Sequence, residues 1–348
     1  MTAANPFGTS GSGIDFNDPE LEAAVRAGLD SVEALLRDSV KSDYPFVTET
    51  SQHLVAAGGK RFRPLVVLLA SHFGDPAAAG VVPSAVVVEL THLATLYHDD
   101  VMDEAVLRRG AVSANSRWGN TVAILTGDYL FARASEISTD LGPEVCRLLA
   151  RTIATLCDGQ IREVDVSRTL RQDEQTYMEI IRRKTGALIA TSCRLGGMLS
   201  DASSADTDTL ETFGEALGMA FQLSDDIMDI TASESELEKE PGADMRNGLY
   251  TLPVLYALRN GKDGEELSRL LSEGPPAGDG LERALEIVRQ EASLDRARMT
   301  VTAEVARALS LASKLPQGVA RSALESLARY LAVRCGAVPE PARPSHAH

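Results

Sequence analysis

Apolar residues recur every three to four positions along most of the chain, and period-two alternation is scarce, so the pattern predicts helices throughout and no competing strands. Asp18-Pro19-Glu20 places a capping acceptor before a proline at the first helical position and opens an amphipathic run to about Lys41. Further helices are expected at about 45–57, 61–74, 81–103, 118–138, 142–167, 172–199, 206–231, 250–260, 263–272, 280–292, 294–314 and 317–334. Two polar stretches interrupt them, Glu104 to Arg117 and Thr231 to Tyr250, the second holding Pro241, Gly242 and Gly248. The helical pattern resumes after each without a change in composition, so they read as lids over a site rather than linkers. The fold class expected is all-α, one helical domain over residues 18–338. Residues 1–17, rich in Gly, Ser, Thr and Ala, and the proline-bearing tail 339–348 read as disordered ends.

Composition supports this picture and narrows the partners. Hydrophobic residues make up 44% of the 348, enough for a large core, and only 5% are aromatic, which favours helices over sheets. The net charge of −16 argues against nucleic acid as a partner, so any phosphate-bearing ligand must be held by a few local bases or by metal ions. Cys146, Cys157, Cys193 and Cys335 lack Cys-x-x-Cys spacing, which argues against structural zinc and a disulfide framework and points to the cytoplasm. No stretch reaches the roughly 20 apolar residues of a transmembrane helix. Transient contact with a membrane surface stays compatible with the sequence.

Chemistry is concentrated in two repeats of one pattern, Asp99-Asp100-Val101-Met102-Asp103 and Asp225-Asp226-Ile227-Met228-Asp229. Residues four apart share a helix face, so each repeat aims two carboxylates in one direction, a repulsive arrangement that calls for a cation. Hard oxygen ligands of this kind suit Mg²⁺ bridging to phosphate oxygens. Gly58-Gly59-Lys60-Arg61-Phe62-Arg63-Pro64 offers exposed backbone N–H groups and cations to an anion, or else is an ordinary basic helix start. His92 lies two turns below Asp99 on nearly the same face, where a substrate would sit or where a hydrogen-bonded core histidine would serve equally; His98 reads as structural. Glu89 and His92 also form a Glu-x-x-His pair, but no second copy exists to complete a di-iron site. Arg108-Arg109-Gly110 can swing over the first cluster, Arg183-Lys184-Thr185-Gly186 sets cations and a hydroxyl in an apolar helix, and Gln222 lies three residues before Asp225. Each fragment alone has a solvated helix face or loop as its alternative.

In order, Gly-Gly-Lys-Arg-x-Arg-Pro, His-x-x-x-Leu-x-His-Asp-Asp-x-x-Asp, Arg-Arg-Gly, Lys-Thr and Gln-Leu-x-Asp-Asp-x-x-Asp resemble the trans-isoprenyl diphosphate synthases, or polyprenyl synthetases, from about Gly58 to Pro253. The resemblance implies an all-α bundle around a deep cavity, usually homodimeric, that extends an allylic diphosphate by head-to-tail addition of isopentenyl diphosphate. It implies two Mg²⁺ on Asp99 and Asp103 and a third on Asp225, with Asp100, Asp226 and Asp229 completing or orienting the shells. By the same resemblance, Arg108 and Lys184, with Thr185 and Gln222 nearby, contact the allylic diphosphate, while Lys60, Arg63, His92 and Arg109 hold isopentenyl diphosphate. Loss of diphosphate builds negative charge that metal and Arg/Lys stabilise, and the allyl cation is attacked by a double bond, so no protein nucleophile is required. Asp99, Asp225, Arg108 and Lys184 are therefore the expected catalytic groups.

One departure stands out. The family's second loop usually carries two lysines; here Lys239 matches the first, and Leu249 stands where the second is expected, so closure falls to Lys239 or Arg246. Family members of the short-chain farnesyl type carry aromatics four and five residues before the first aspartate, whereas this chain has Thr95 and Ala94, which implies a product longer than fifteen carbons and a resemblance to long-chain bacterial enzymes that supply quinone side chains. Two other readings are weighed. A class I terpene cyclase is disfavoured by the Asp-rich second motif and the Gly58–Pro64 segment, and a non-catalytic modulating subunit by the integrity of both clusters.

Overall fold

The computed structural model describes residue 16 and residues 18–167, 169–232, 241–259 and 262–338. Of the expected disordered ends, only Phe16 falls among these, and it is buried in the core rather than exposed. The architecture is all-α, as the periodicity predicts: α1 (Pro19–Ser39), α2 (Pro45–Ala56), α3 (Phe62–Ser71), α4 (Val81–Met102), α5 (Ala114–Trp118), α6 (Asn120–Asp140), α7 (Pro143–Val166), α8 (Glu174–Ile181), α9 (Ala187–Leu199) and α10 (Ser204–Thr231). A short α11 (Ala243–Arg246) precedes α12 (Leu252–Arg259), α13 (Lys262–Ser272), α14 (Asp279–Val288), α15 (Glu291–Ala312) and α16 (Val319–Arg334). At the start of α1, Asp18 accepts a hydrogen bond from the Leu21 N–H at 2.7 Å, the cap anticipated from Asp-Pro-Glu.

Two helices organise the bundle. α4 packs against α6, α3 and α9 around Val86, Val87, Val88, Leu90 and Leu93, and α10 packs against α9 and α15 around Leu210, Phe213, Leu217 and Ala220. Along α10, Gly214 and Gly218 allow near-contact of backbones: a Cβ on either would stand 2.8 Å from Ala190 Cα or Gly186 Cα. Both aspartate clusters lie in the last turns of their helices, which brings them to the same end of one cavity.

The structure corrects the periodicity in three places. The run expected as one helix over 172–199 contains a π turn, Arg182–Gly186, in which the Ala187 N–H reaches Arg182 O. One extra residue in that turn re-aims Lys184 and Thr185. The first polar stretch is not free of strand: Leu107–Arg108 pairs antiparallel with Ala111–Val112. Arg109 and Gly110 both take positive φ, 54° and 73°, the type I′ geometry that suits a two-residue hairpin. The described part of the second stretch holds the helical turn α11.

Arg61 fastens the cation-rich segment to this frame. Its side chain, 7% exposed, pairs with Glu33 of α1 and Glu89 of α4, both at 2.9 Å, and donates to Val55 O at 3.1 Å. Glu89 is thereby committed to an arginine, which removes the Glu-x-x-His metal reading. Arg61→Met would strand a buried Glu89 carboxylate, so it is expected to cost about 3–5 kcal/mol. In chemical denaturation, adding Glu89→Leu should restore much of that loss; an Arg61→Met protein as stable as the parent would contradict the assignment.

Candidate active site

The end of α4, the π turn, the middle of α7 and the last turns of α10 enclose two adjoining hollows. The outer, about 240 Å³, is lined by Asp99, Asp103, Glu163, Tyr177, Asp226 and Asp244. The inner, about 440 Å³, runs past Thr95 and Leu96 to Phe131, Ile153 and Leu156. Asp99, Arg108, Lys184, Thr185 and Gln222 line both and so form the neck between them. A charged mouth thus opens onto an inner hollow that carries Arg63, His92 and Asp225 beside the apolar Phe131, Ile153 and Leu156.

Charge at the mouth is balanced pair by pair. Arg108 Nε donates to Asp100 Oδ1 at 2.6 Å, Lys184 pairs with Glu163, and Arg334, at the end of α16, pairs with Asp225 while its guanidinium lies 5.4 Å from the Phe221 ring centre. Burial raises the Asp99 carboxyl to about 6, against Lys184, which lowers it, and with Asp103, which adds to the rise. Asp226 is pushed to about 7 by burial and by Asp244, against hydrogen bonds from Tyr177 and Gln222. Burial works to neutralise Lys184, yet Glu163 and Asp99 outweigh it and hold the ammonium above its ordinary range.

On the opposite wall, Arg63 and His92 face the inner hollow. Burial holds the Arg63 guanidinium down at about 10, still protonated at neutral pH, and its Nε lacks a hydrogen-bond partner among the described residues. His92 lies well below its ordinary value, through burial and then through Arg63, Arg109 and Arg108, so the ring is neutral. Arg109 turns inward, donates to Gly58 O and lies against Gly59, where a Cβ would come within 2.8 Å of the guanidinium carbon. Gly58 and Gly59 take φ of 81° and 141°, so the glycine pair both permits the loop and receives Arg109. Lys60 is exposed beside them.

Most of the residues anticipated from sequence therefore converge. Ala94 does not: it is fully buried in the α4–α6 core, whereas Thr95 faces the inner hollow. His98 lies on the cavity wall with its ring against Ile124 O at 3.1 Å and Asp128 at 3.3 Å, a held position consistent with a structural role. Lys239 lies outside the described residues. Leu249 lines the outer hollow, and Arg246 lies with Asp103 and Glu163 on the adjacent surface. Sequence reading missed Tyr177, Glu163, Asp244 and Arg334, which carry no local motif and reach the site only through tertiary folding.

The donor set fits divalent metal without forming a ready cage. Asp100 Oδ2 is buried with no hydrogen-bond partner, and Asp99, Asp103 and Glu163 crowd one wall, yet no group of three metal-ligating side chains is preassembled among the described residues. Such a site suits ions that share their oxygens with a ligand.

The comparisons give this helical bundle with its paired aspartate clusters a class: residues 44–288 match the polyprenyl synthetase family, to which the chain belongs, and its reaction class is that of the trans-polyprenyl diphosphate synthases, which are prenyltransferases. It is 43% identical over 328 residues to nonaprenyl diphosphate synthase of Mycobacterium tuberculosis, covering 93% of this chain and 98% of that one. It is 37% identical to heptaprenyl diphosphate synthase component 2 of Bacillus subtilis, covering 94% of each. The polyprenyl synthase of Caulobacter crescentus, solved with calcium and isoprenyl diphosphate, superposes with a TM-score of 0.85 at 32% identity, over 93% of this chain and 98% of that one.

The raised carboxyls give a pH dependence with a definite sign. Asp99 and Asp226 hold protons in the fold that the unfolded chain releases near pH 4, so their stabilisation is present at low pH and lost as pH rises through about 6 and 7. In EDTA, thermal unfolding should move up by a few degrees between pH 8 and pH 6. A melting temperature that falls over that interval would contradict the assignment.

Proposed function

We propose that the chain elongates an allylic diphosphate by repeated head-to-tail condensation with isopentenyl diphosphate in the presence of Mg²⁺, three ions per site, releasing a product of twenty carbons or more. The observation that carries this reading is the neck: Asp99, Arg108, Lys184, Thr185 and Gln222 line both the carboxylate-rich mouth and the inner hollow, whose walls include Leu96, Phe131, Ile153 and Leu156. A diphosphate in the mouth therefore has its hydrocarbon directed inward.

Asp99, Asp103 and Asp225 would hold the metal, with Asp229 close to Asp225 on the same helix. Bound metal supplies charge neutralisation of the leaving diphosphate. Lys184 and Arg108 stand beside the same carboxylates as fixed cations, and Arg246 takes the closing role left by Leu249. Arg63, Arg109, neutral His92 and exposed Lys60 form the wall for isopentenyl diphosphate. A neutral imidazole among three arginines can accept a hydrogen bond from a guanidinium without adding repulsion. The released proton needs no protein base, since the departing diphosphate can take it.

Homodimer formation belongs to the same proposal, with the exposed Ile124 and Leu125 on α6 as residues it would cover. No helix among the described residues is long and apolar enough to cross a membrane, and product release by brief contact with a lipid surface belongs to the same proposal. The likeness to a heptaprenyl synthase component keeps a heteromeric role as the second reading, yet both aspartate clusters and the neck are complete here.

Purified chain with Mg²⁺, isopentenyl diphosphate and an allylic diphosphate should give a ladder of prenyl diphosphates by mass spectrometry. Hydrocarbon from allylic substrate alone would indicate a cyclase, and absence of turnover with both substrates would indicate a modulating subunit. Asp99→Ala and Asp225→Ala should each abolish turnover with helical circular dichroism unchanged; near-normal activity in either would contradict the clamp. Thr95→Phe should shorten the ladder, whereas Ala94→Phe should cost about 1–3 kcal/mol of stability by overpacking. An unchanged ladder in Thr95→Phe would remove Thr95 from product-length control.

A further inference from the structure

Tyr177, on α8, has a buried phenol that donates to Asp226 Oδ2. The second carboxylate oxygen, Asp226 Oδ1, accepts from Gln222 Nε2 at 2.8 Å, and Gln222 Oε1 accepts from Thr185 Oγ1 at 2.7 Å. Four residues from α8, α10 and the π turn thus form one unbranched chain of hydrogen bonds, with Asp226 only 2% exposed at its centre. Tyr177 and Asp226 line only the outer hollow, whereas Gln222 and Thr185 line the neck.

We infer that Tyr177 is a positioning residue for the proposed elongation, acting through Asp226 and Gln222 to fix Thr185 at the neck, and that Asp226 serves as an anchor rather than a metal ligand. Both Asp226 oxygens already accept a hydrogen bond, one from each side. Each oxygen keeps a second lone pair, but Asp226 is 2% exposed whereas the Asp225 side chain is 40% exposed, so Asp225 offers the open oxygens to an ion and Asp226 holds the chain. The donor order along the chain also fixes the Gln222 amide: its NH₂ faces the carboxylate and its carbonyl faces the threonine. A free amide would rotate between these orientations and leave the neck undefined; an anchored one keeps the same outline through every elongation cycle. Among the described residues no other hydrogen bond connects the Tyr177 hydroxyl to the neck; because Tyr177 also lines the outer hollow, the double variant below separates action through Asp226 and Gln222 from a direct touch on the diphosphate.

This inference rests on the reading under Proposed function, and its test separates the two. Tyr177→Phe and Thr185→Val remove the two ends of the chain without touching each other. Each should lower kcat/KM for the allylic diphosphate about tenfold, and the double variant should also lose about tenfold, because one broken chain cannot be broken twice. Losses that multiply to about a hundredfold would overturn the coupling. Mn²⁺ affinity measured with inorganic diphosphate should stay within about twofold of the parent in Tyr177→Phe; a tenfold loss would mark Asp226 as a ligand and overturn the anchor role. Should Tyr177→Phe fold poorly, Asp226→Asn with Thr185→Val must show the same non-multiplying loss. A parent protein that makes no prenyl diphosphate would sink the functional reading, while the Mn²⁺ measurement would still decide the anchor.

Discussion

Carboxylates of like charge crowd one end of a cavity, and the rest of the site answers that repulsion. At an effective dielectric near 20, two unit charges 4 Å apart repel by about 4 kcal/mol, so several cannot stay ionised together without cations or donors. The chain gives each a different partner: Arg108 for Asp100, Lys184 for Glu163, Arg334 for Asp225, and the neutral donors Tyr177 and Gln222 for Asp226. Asp99, where Lys184 and Arg108 offset Asp103 and Glu163, is raised to about 6 by burial. A site so poised gains most from a ligand that brings cations with it.

The scaffold serves that balance through backbone geometry at a few places. The π turn directs Lys184 and Thr185 into the neck, and close passage of α10 over α9 at Gly214 and Gly218 sets the distance between that turn and the second aspartate cluster. The type I′ hairpin points Arg108 toward Asp100 and Arg109 toward the glycine pair, so adjacent arginines face two different walls. Arg61 fixes the glycine-bearing segment to α1 and α4 by a half-buried pair with Glu33 and a buried one with Glu89. Removing any one of these would move a cation without changing the aspartates.

Much of this was legible because helices obey a simple angular rule. Asp99 with Asp103, and Thr95 one turn below, fall on one face by counting fours, and the structure keeps them there. The same counting separates Ala94: five residues carry it about 140° around α4, into the core against α6. The π turn defeats counting, since one inserted residue shifts everything after it and has no sequence signal beyond a polar string in an apolar helix. Tyr177 and Arg334 were invisible for another reason. They reach Asp226 and Asp225 from 49 and 109 residues away, and only the packing of α8 and α16 against α10 brings them in. Arg61, between Lys60 and Arg63, carries no sequence signal that separates it from them; its pairing with Glu33 and Glu89 appears only in the fold.

The central claim is that these carboxylates recruit metal together with diphosphate rather than before it. Mn²⁺ binding followed by electron paramagnetic resonance, with and without inorganic diphosphate, tests this most directly. The account predicts weak binding to the protein alone and cooperative uptake of three ions when diphosphate is present. Tight uptake without diphosphate, or no added uptake with it, would contradict the account.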